Sequence, residues 1–278
     1  MLVRIIYLLE SNEEVRKYLS FFKSSLKNEF AYKADFILSM LVNSVFFFIY
    51  YAVWQAVYKN SGITEINSFT LSTTITYYLI TSLIFRIDVS DFVFMGWSVW
   101  SGEFTNDLIK PWSPKIIHAL WPISDVIISF LLYLPVMFVI YVFTSQYIQL
   151  PSALNLVYFL IALGFSVIFS LVINLGLHSL VFFFGDQDSN IGLVNYVIAF
   201  AAGAFFPLAF LPHTLNKIFL ALPFKYIFDV PVNIYLGRLS SADIFKGWLS
   251  LVVWIVIFYA LFCMLYSKGL KRYTGTGR

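Results

Sequence analysis

Three polar residues stand inside otherwise apolar stretches of the chain, and each is placed where it could do chemistry. Asp125 is the one acid well inside such a stretch; a carboxylate there is costly unless it is paired or faces water, which makes it a candidate for a transport path. A structural partner, either a hydroxyl on a neighbouring helix or His118 two helical turns away, accounts for it equally. Asn174 and His178 are four residues apart, hence on one helical face, and either line a path or bond across helices. Catalysis is not expected. The histidines lie far apart at 118, 178 and 213, and neither an H-E-x-x-H nor a G-x-S-x-G pattern occurs. The single cysteine, Cys263, excludes an intrachain disulfide framework, and no metal site is expected.

A second cluster is the segment SGEFTNDLIKPWSPK, residues 101–115, the most polar interruption between two apolar runs. Gly102 permits a turn, Phe104, Leu108 and Ile109 recur at near-helical spacing, and Pro111 stops the helix. With Glu103 and Lys110 this makes a short helix over 101–111 tethered at both ends, so that force on it would move its neighbours. Its Phe104 and Leu108 are expected to be exposed, offering an apolar face for a docking partner to bury. The alternative is a solvated connector whose apolar face rests on a membrane.

The elements that carry these residues follow from composition. Apolar residues make up 60% of the chain and charged residues 12%, with a mean hydropathy of +0.82, which no polar surface in water could cover. The chain reads as an all-α polytopic integral membrane protein, one domain over residues 1–278. Runs near 36–57, 70–88, 116–143, 153–184, 190–211 and 247–267 predict six spans, the length rule being about 20 apolar residues for about 30 Å of hydrocarbon. The second is weakened by Arg86 and Asp88, and the fourth is longer than a crossing needs. The apolar start MLVRIIYLLE runs into charges and does not read as a cleavable signal peptide.

Six spans put both termini on one side, and with that side inside, 13 of the 18 basic residues are cytoplasmic. Lys59, Lys217, Lys225, Arg238 and Lys246 remain outside, and the 101–111 helix lies in the cytoplasm. Residues 12–33 place Val15, Tyr18, Leu19, Phe22, Leu26 and Phe30 on one face with lysines beside it, predicting an interfacial helix among lipid headgroups. Asp186 and Asp188 read as solvated turn residues or a second docking contact. Residues 212–246 are too apolar to be freely solvated, and Pro212, Pro223 and Pro231 divide them into pieces of about ten residues, half of what crossing requires.

Three segments together resemble the six-span branch of the ABC-2 type permeases. The first is Gly102-Glu103 with Leu108, Ile109, Pro111, Ser113 and Pro114; the second is Phe206-Pro207-Leu208, Leu211-Pro212, Leu222-Pro223, Pro231 and Leu236-Gly237. The third is Gly269-Leu270-Lys271-Arg272-Tyr273 followed by Gly275 and Gly277. The resemblance extends over essentially the whole chain. It implies the transmembrane half of an ATP-driven exporter in a bacterial-type cytoplasmic membrane. It further implies a coupling helix at 101–111 seated on an ATPase subunit, a dimer with an identical or related permease, and a hairpin over 212–246 dipping into the outer leaflet. No G-x-x-x-x-G-K-[ST] loop occurs, so ATP and Mg would be held by the partner ATPase and no cofactor by this chain.

An apolar interior suits a lipid, a drug or an antibiotic-like amphipathic substrate moved by alternating access between two halves, with membrane lipids as further partners and no nucleic acid. A gradient-driven secondary carrier is the rival reading. It would use intramembrane acids and repeated halves, and here one deep acid and no clear inverted repeat are found.

Overall fold

The computed structural model describes residues 33–91, 93–185 and 189–275, with isolated positions before them. The expected interfacial helix over 12–33 therefore lies outside the described residues, as do Asp186, Asp188 and Gly277.

Helix α1, Lys33–Ser61, leads into a two-stranded hairpin, β1 Glu65–Ile66 and β2 Phe69–Thr70, paired antiparallel with Ile66 opposite Phe69. Asn67 and Ser68 both take positive φ, 47° and 66°, the backbone that a two-residue hairpin turn matching the strand twist requires. Thr70 then caps α2, Leu71–Ile87, its hydroxyl accepting from Thr73 N at 3.3 Å. Short helices α3, Met95–Ser101, and α4, Phe104–Ile109, connect α2 to α5, Pro114–Thr144. Pro114 opens α5, where a missing N–H leaves no bond unmade. Ser152 caps α6, Ala153–His178, which passes through a turn into α7, Val181–Phe184. Beyond Gly185 come α8, Ser189–Ala201, then α9, His213–Ala221, and α10, Asp229–Tyr235; Ser240 caps the closing helix α11, Ser241–Leu270.

Four of these are long and apolar enough to cross a membrane: the stretches Leu41–Asn60, Pro114–Tyr147, Ala153–Phe184 and Ser241–Leu270. Two of the six expected spans are shorter. The 17 residues of α2 and the 13 of α8 extend about 26 Å and about 20 Å at 1.5 Å per residue, less than a full hydrocarbon layer. For α8 the cause is local. The run expected to continue to 211 turns at Gly203, whose φ is +85°, and Pro207 follows. A Cβ at Gly203 would stand 2.9 Å from Tyr77 Oη, so this turn is fitted against α2.

Packing places α11 and α10 along α6, and α2 between α1 and α5. One buried apolar cluster runs from Phe69 through Tyr77, Tyr133, Phe169 and Phe228 to Phe262 and Tyr266. The outward faces of α1, α5, α8 and α11 remain apolar, as Phe46, Phe138, Val197 and Val253 illustrate, which is the surface a lipid-embedded protein presents. The region 212–246 is two short helices joined by a 3-10 turn at Pro223–Tyr226, and its last residues already belong to α11.

Candidate functional site

The connector between α2 and α5 is built around one aromatic anchor. Gly102 takes φ +83°, closing α3 and turning the chain into α4. Ile109 ends α4, because Lys110, preceding Pro111, is extended with ψ 153° as a residue before proline must be. Within this six-residue helix, Phe104 is 0% exposed. Its ring stacks on His118 of α5 at 5.9 Å and meets Phe182 of α7, Tyr266 of α11 and Tyr273 edge-on at 5.5, 6.3 and 5.5 Å. The expectation that Phe104 is an exposed docking residue is thus overturned. The apolar face of a helix this short divides, with Phe104 turned inward as an anchor and Ile109 and Leu108 left 79% and 42% exposed.

Polar contacts hold the same helix. Asp107 accepts from Lys110 Nζ at 3.1 Å, and its other carboxylate oxygen lies 3.1 Å from His118 Nε2. The hydrogen bond from His118 is the main cause that holds the Asp107 carboxyl below its ordinary range; partial burial opposes it and Lys110 reinforces it. His118 Nε2 is thus directed to Asp107.

The C-terminal motif closes over the connector. Tyr273 donates its hydroxyl to Gly102 O at 3.1 Å, and Thr105 Oγ1 lies 3.1 Å from the Tyr273 hydroxyl oxygen. Gly269 permits this approach, since a Cβ there would stand 2.7 Å from the Phe182 ring. Arg272 lies 5.1 Å over the Phe183 ring, and Lys115 at the start of α5 lies 4.6 Å over Tyr266. Through Phe104, α4 is thereby in direct contact with α5, α7 and α11.

Of the residues proposed for a transport path, Asn174 and His178 sit on α6 and are brought into one polar neighbourhood. Asn174 Oδ1 accepts from Asn195 of α8 at 2.9 Å, and His178 Nδ1 accepts from Gly96 N of α3 at 3.0 Å. Ser170, one turn before Asn174, donates to Asp88 at the end of α2. Asp125 is 3% exposed on α5, among buried Ser124 and Ser129. Asp88 had registered only as an interruption of a span, although an acid at the foot of an apolar run was itself a signal.

A second acid went unremarked in the sequence. Asp229, in the connection outside the candidate spans, accepts from Leu208 N at 3.2 Å and from Asn233 Nδ2 at 3.0 Å. Tyr77 Oη lies 3.4 Å from it while donating to Gly203 O at 2.6 Å. Burial pushes its carboxyl up to about 6, against the hydrogen bonds and Lys225, which lower it. This site joins α2, the Gly203 turn and α10. Nearby, Asn67 of the β-turn donates to Ala209 O at 2.6 Å, and Arg238 donates to Ser68 O at 2.7 Å while covering the Phe69 ring.

Membrane-length apolar helices around a short, anchored connector with an outward apolar tip define an integral membrane protein of polytopic helical design. Residues 39–277 match the family described as ABC-2 family transporter protein, and the chain belongs to that family. It is accordingly an ABC transporter permease, a membrane transport subunit of the kind that works beside an ABC ATPase. No curated protein matches the chain.

Proposed function

We propose that this chain is the transmembrane subunit of an ATP-driven exporter, in which residues 101–111 are the element seated on a separate ATPase. The observation that carries the reading is the division of α4: Phe104 is locked among four aromatic rings while Ile109 and Leu108 point outward. A rigid internal anchor with an exposed apolar tip is what a force-transmitting contact needs. A merely solvated connector has no use for the anchor.

In this reading Gly102 and Pro111 bound the docking helix, Glu103 and Lys110 flank its tip, and ATP with Mg stays on the partner. ATP binding draws the ATPases together, α4 follows, and α5 and α11 move with it. Alternating access arises between two permease halves, identical or related, in the cytoplasmic membrane, with both termini cytoplasmic. The four membrane-length helices together with α2 and α8 form the one transmembrane domain, and α9 and α10 dip into the outer leaflet. The apolar interior suits an amphipathic substrate, a lipid, drug or antibiotic-like molecule, with Asn174, His178 and Asp125 as candidate path residues.

The test is co-purification in mild detergent from native membranes. The parent chain is expected to bring down a soluble protein with a phosphate-binding loop, and Ile109→Asp, at a site open to solvent, to lose it by roughly tenfold or more while the permease elutes unchanged. Retention of the ATPase by Ile109→Asp would remove the docking assignment.

A further inference from the structure

Helices α6, α8 and α11 leave between them a groove of about 610 Å³. Ile173 and Leu180 line it on α6, Phe258 and Leu265 on α11, and Val194 and Val197 on α8. On α6 and α11 the lining residues recur over two turns, so the groove follows the helix axes for about 10 Å, within the depth of one hydrocarbon leaflet, about 15 Å. Gly176 opens its floor, since a Cβ there would meet nothing within 4 Å. Every described lining residue is apolar or glycine, and Val194, Val197 and Leu261 are exposed, so in a membrane this face meets hydrocarbon.

Helix α8 packs most on the 3-10 turn Pro223–Tyr226 and less on α6 or α11, which makes the groove a seam that a filler would close. The two ends of the seam differ. At one, Phe224 of that turn lines the groove, and its neighbour Tyr226 lies against Gly247 near the start of α11. At the other, the stripe of Phe258, Leu261 and Leu265 continues one turn on to Lys268, exposed in the last turn of α11. Lys268 makes no ion pair among the described residues, and no acid occurs in the sequence from 258 to 278. This is also the end at which Tyr266 meets Phe104 of the connector. An apolar channel of leaflet depth that runs to an exposed ammonium is complementary to a hydrocarbon chain with an anionic head.

We infer that the groove between α6, α8 and α11 holds one acyl chain of an anionic phospholipid, with the phosphate toward Lys268. The chain fills the seam and ties α8 to α6 and to α11, the helix that carries Tyr266 against the connector. The inference goes beyond the exporter reading and requires only that the protein lies in a membrane.

The experiment uses the full chain purified in mild detergent and supplied with palmitoyl-oleoyl phosphatidylglycerol or phosphatidylcholine, which share their chains and differ in headgroup charge. Bound lipid is counted by native mass spectrometry. The parent is expected to retain one phosphatidylglycerol per chain and to prefer it over phosphatidylcholine by about fivefold, the effect of one lysine at a lipid headgroup. Gly176→Leu, which puts a side chain into the groove, should lower retention of phosphatidylglycerol by about tenfold or more. Gly164→Leu, at an equally open glycine of α6 outside the groove, should retain it as the parent does. Lys268→Gln should remove the preference between the two lipids. Unchanged retention in Gly176→Leu, no preference in the parent, or a preference that survives Lys268→Gln would overturn the inference. A parent dimer that Gly176→Leu separates without loss of lipid would overturn it too, because a second copy would then fill the groove. Should Gly176→Leu fail to fold, Lys268→Gln, at an exposed position, decides by the same preference. Failure to co-purify an ATPase would leave these results untouched, so the two readings are tested apart.

Discussion

Two ends of the molecule are held in different ways. At the connector, α4 is fixed by apolar and aromatic contacts around Phe104 and by an acid, Asp107, held below its ordinary range by His118. At the opposite end, the turn at Gly203 and helix α10 are fixed by polar bonds converging on Asp229, an acid pushed up to about 6 by burial. A short helix carried on one ring can shift with α5 and α11 as a unit and still leave its tip exposed. A turn pinned at several polar atoms to α2 cannot shift without leaving buried groups unpaired.

Removing the anchor gives the largest expected effect. Phe104→Ala should destabilise by about 3 to 5 kcal/mol, as deletion of a fully buried ring does, and should raise hydrogen exchange across 101–111 while exchange at 203–235 stays as in the parent. Uniform loosening of both ends would mean that they are not separate devices. Tyr273→Phe keeps the ring and removes only the hydroxyl on Gly102 O, so the same measurement should show about 1 kcal/mol confined to the connector.

Acidity sharpens the comparison further, because the two acids shift in opposite senses. Asp229 has its carboxyl raised, so its contribution to stability is present below the ordinary carboxylate range and is lost as pH rises through about 6. Thermal unfolding of Asp229→Asn should therefore improve relative to the parent by about 1 kcal/mol between about pH 5 and about pH 8. Asp107 has its carboxyl lowered, so its contribution is present above the ordinary range and is lost as pH falls through the lowered value. For Asp107→Asn the deficit should appear at neutral pH and shrink in acid. Parallel pH profiles for the two variants would show that the environments do not differ as described.

How much of this was legible in the residues varied with the kind of signal. Composition and apolar runs located the long helices, and Gly102 and Pro111 bounded the connector where they were expected to, because those residues act through their own backbone. The side of α4 that Phe104 takes was not legible. Helical spacing places Phe104 and Leu108 on a common face, and only the approach of Phe182, Tyr266 and Tyr273 from distant parts of the chain turns one inward. The end of α8 was missed because an apolar run continues through Gly203 to Leu211, while the positive φ that breaks it depends on Tyr77. The pairing of His118 with Asp107 across a proline-closed turn was likewise invisible to helical spacing. The C-terminal Gly269 and Tyr273 were singled out as a pattern, and their packing on Phe182 and Gly102 supplies the physical reason for that pattern.

In the proposed assembly the connector presents Ile109 outward to an ATPase while Phe104 holds it from within. A photo-activatable residue at position 109, irradiated in native membranes and followed by mass spectrometry of the adduct, tests it most directly. The account predicts a crosslink to a soluble chain containing a phosphate-binding loop, formed in the assembled complex. Adducts at 109 with lipid alone would contradict it.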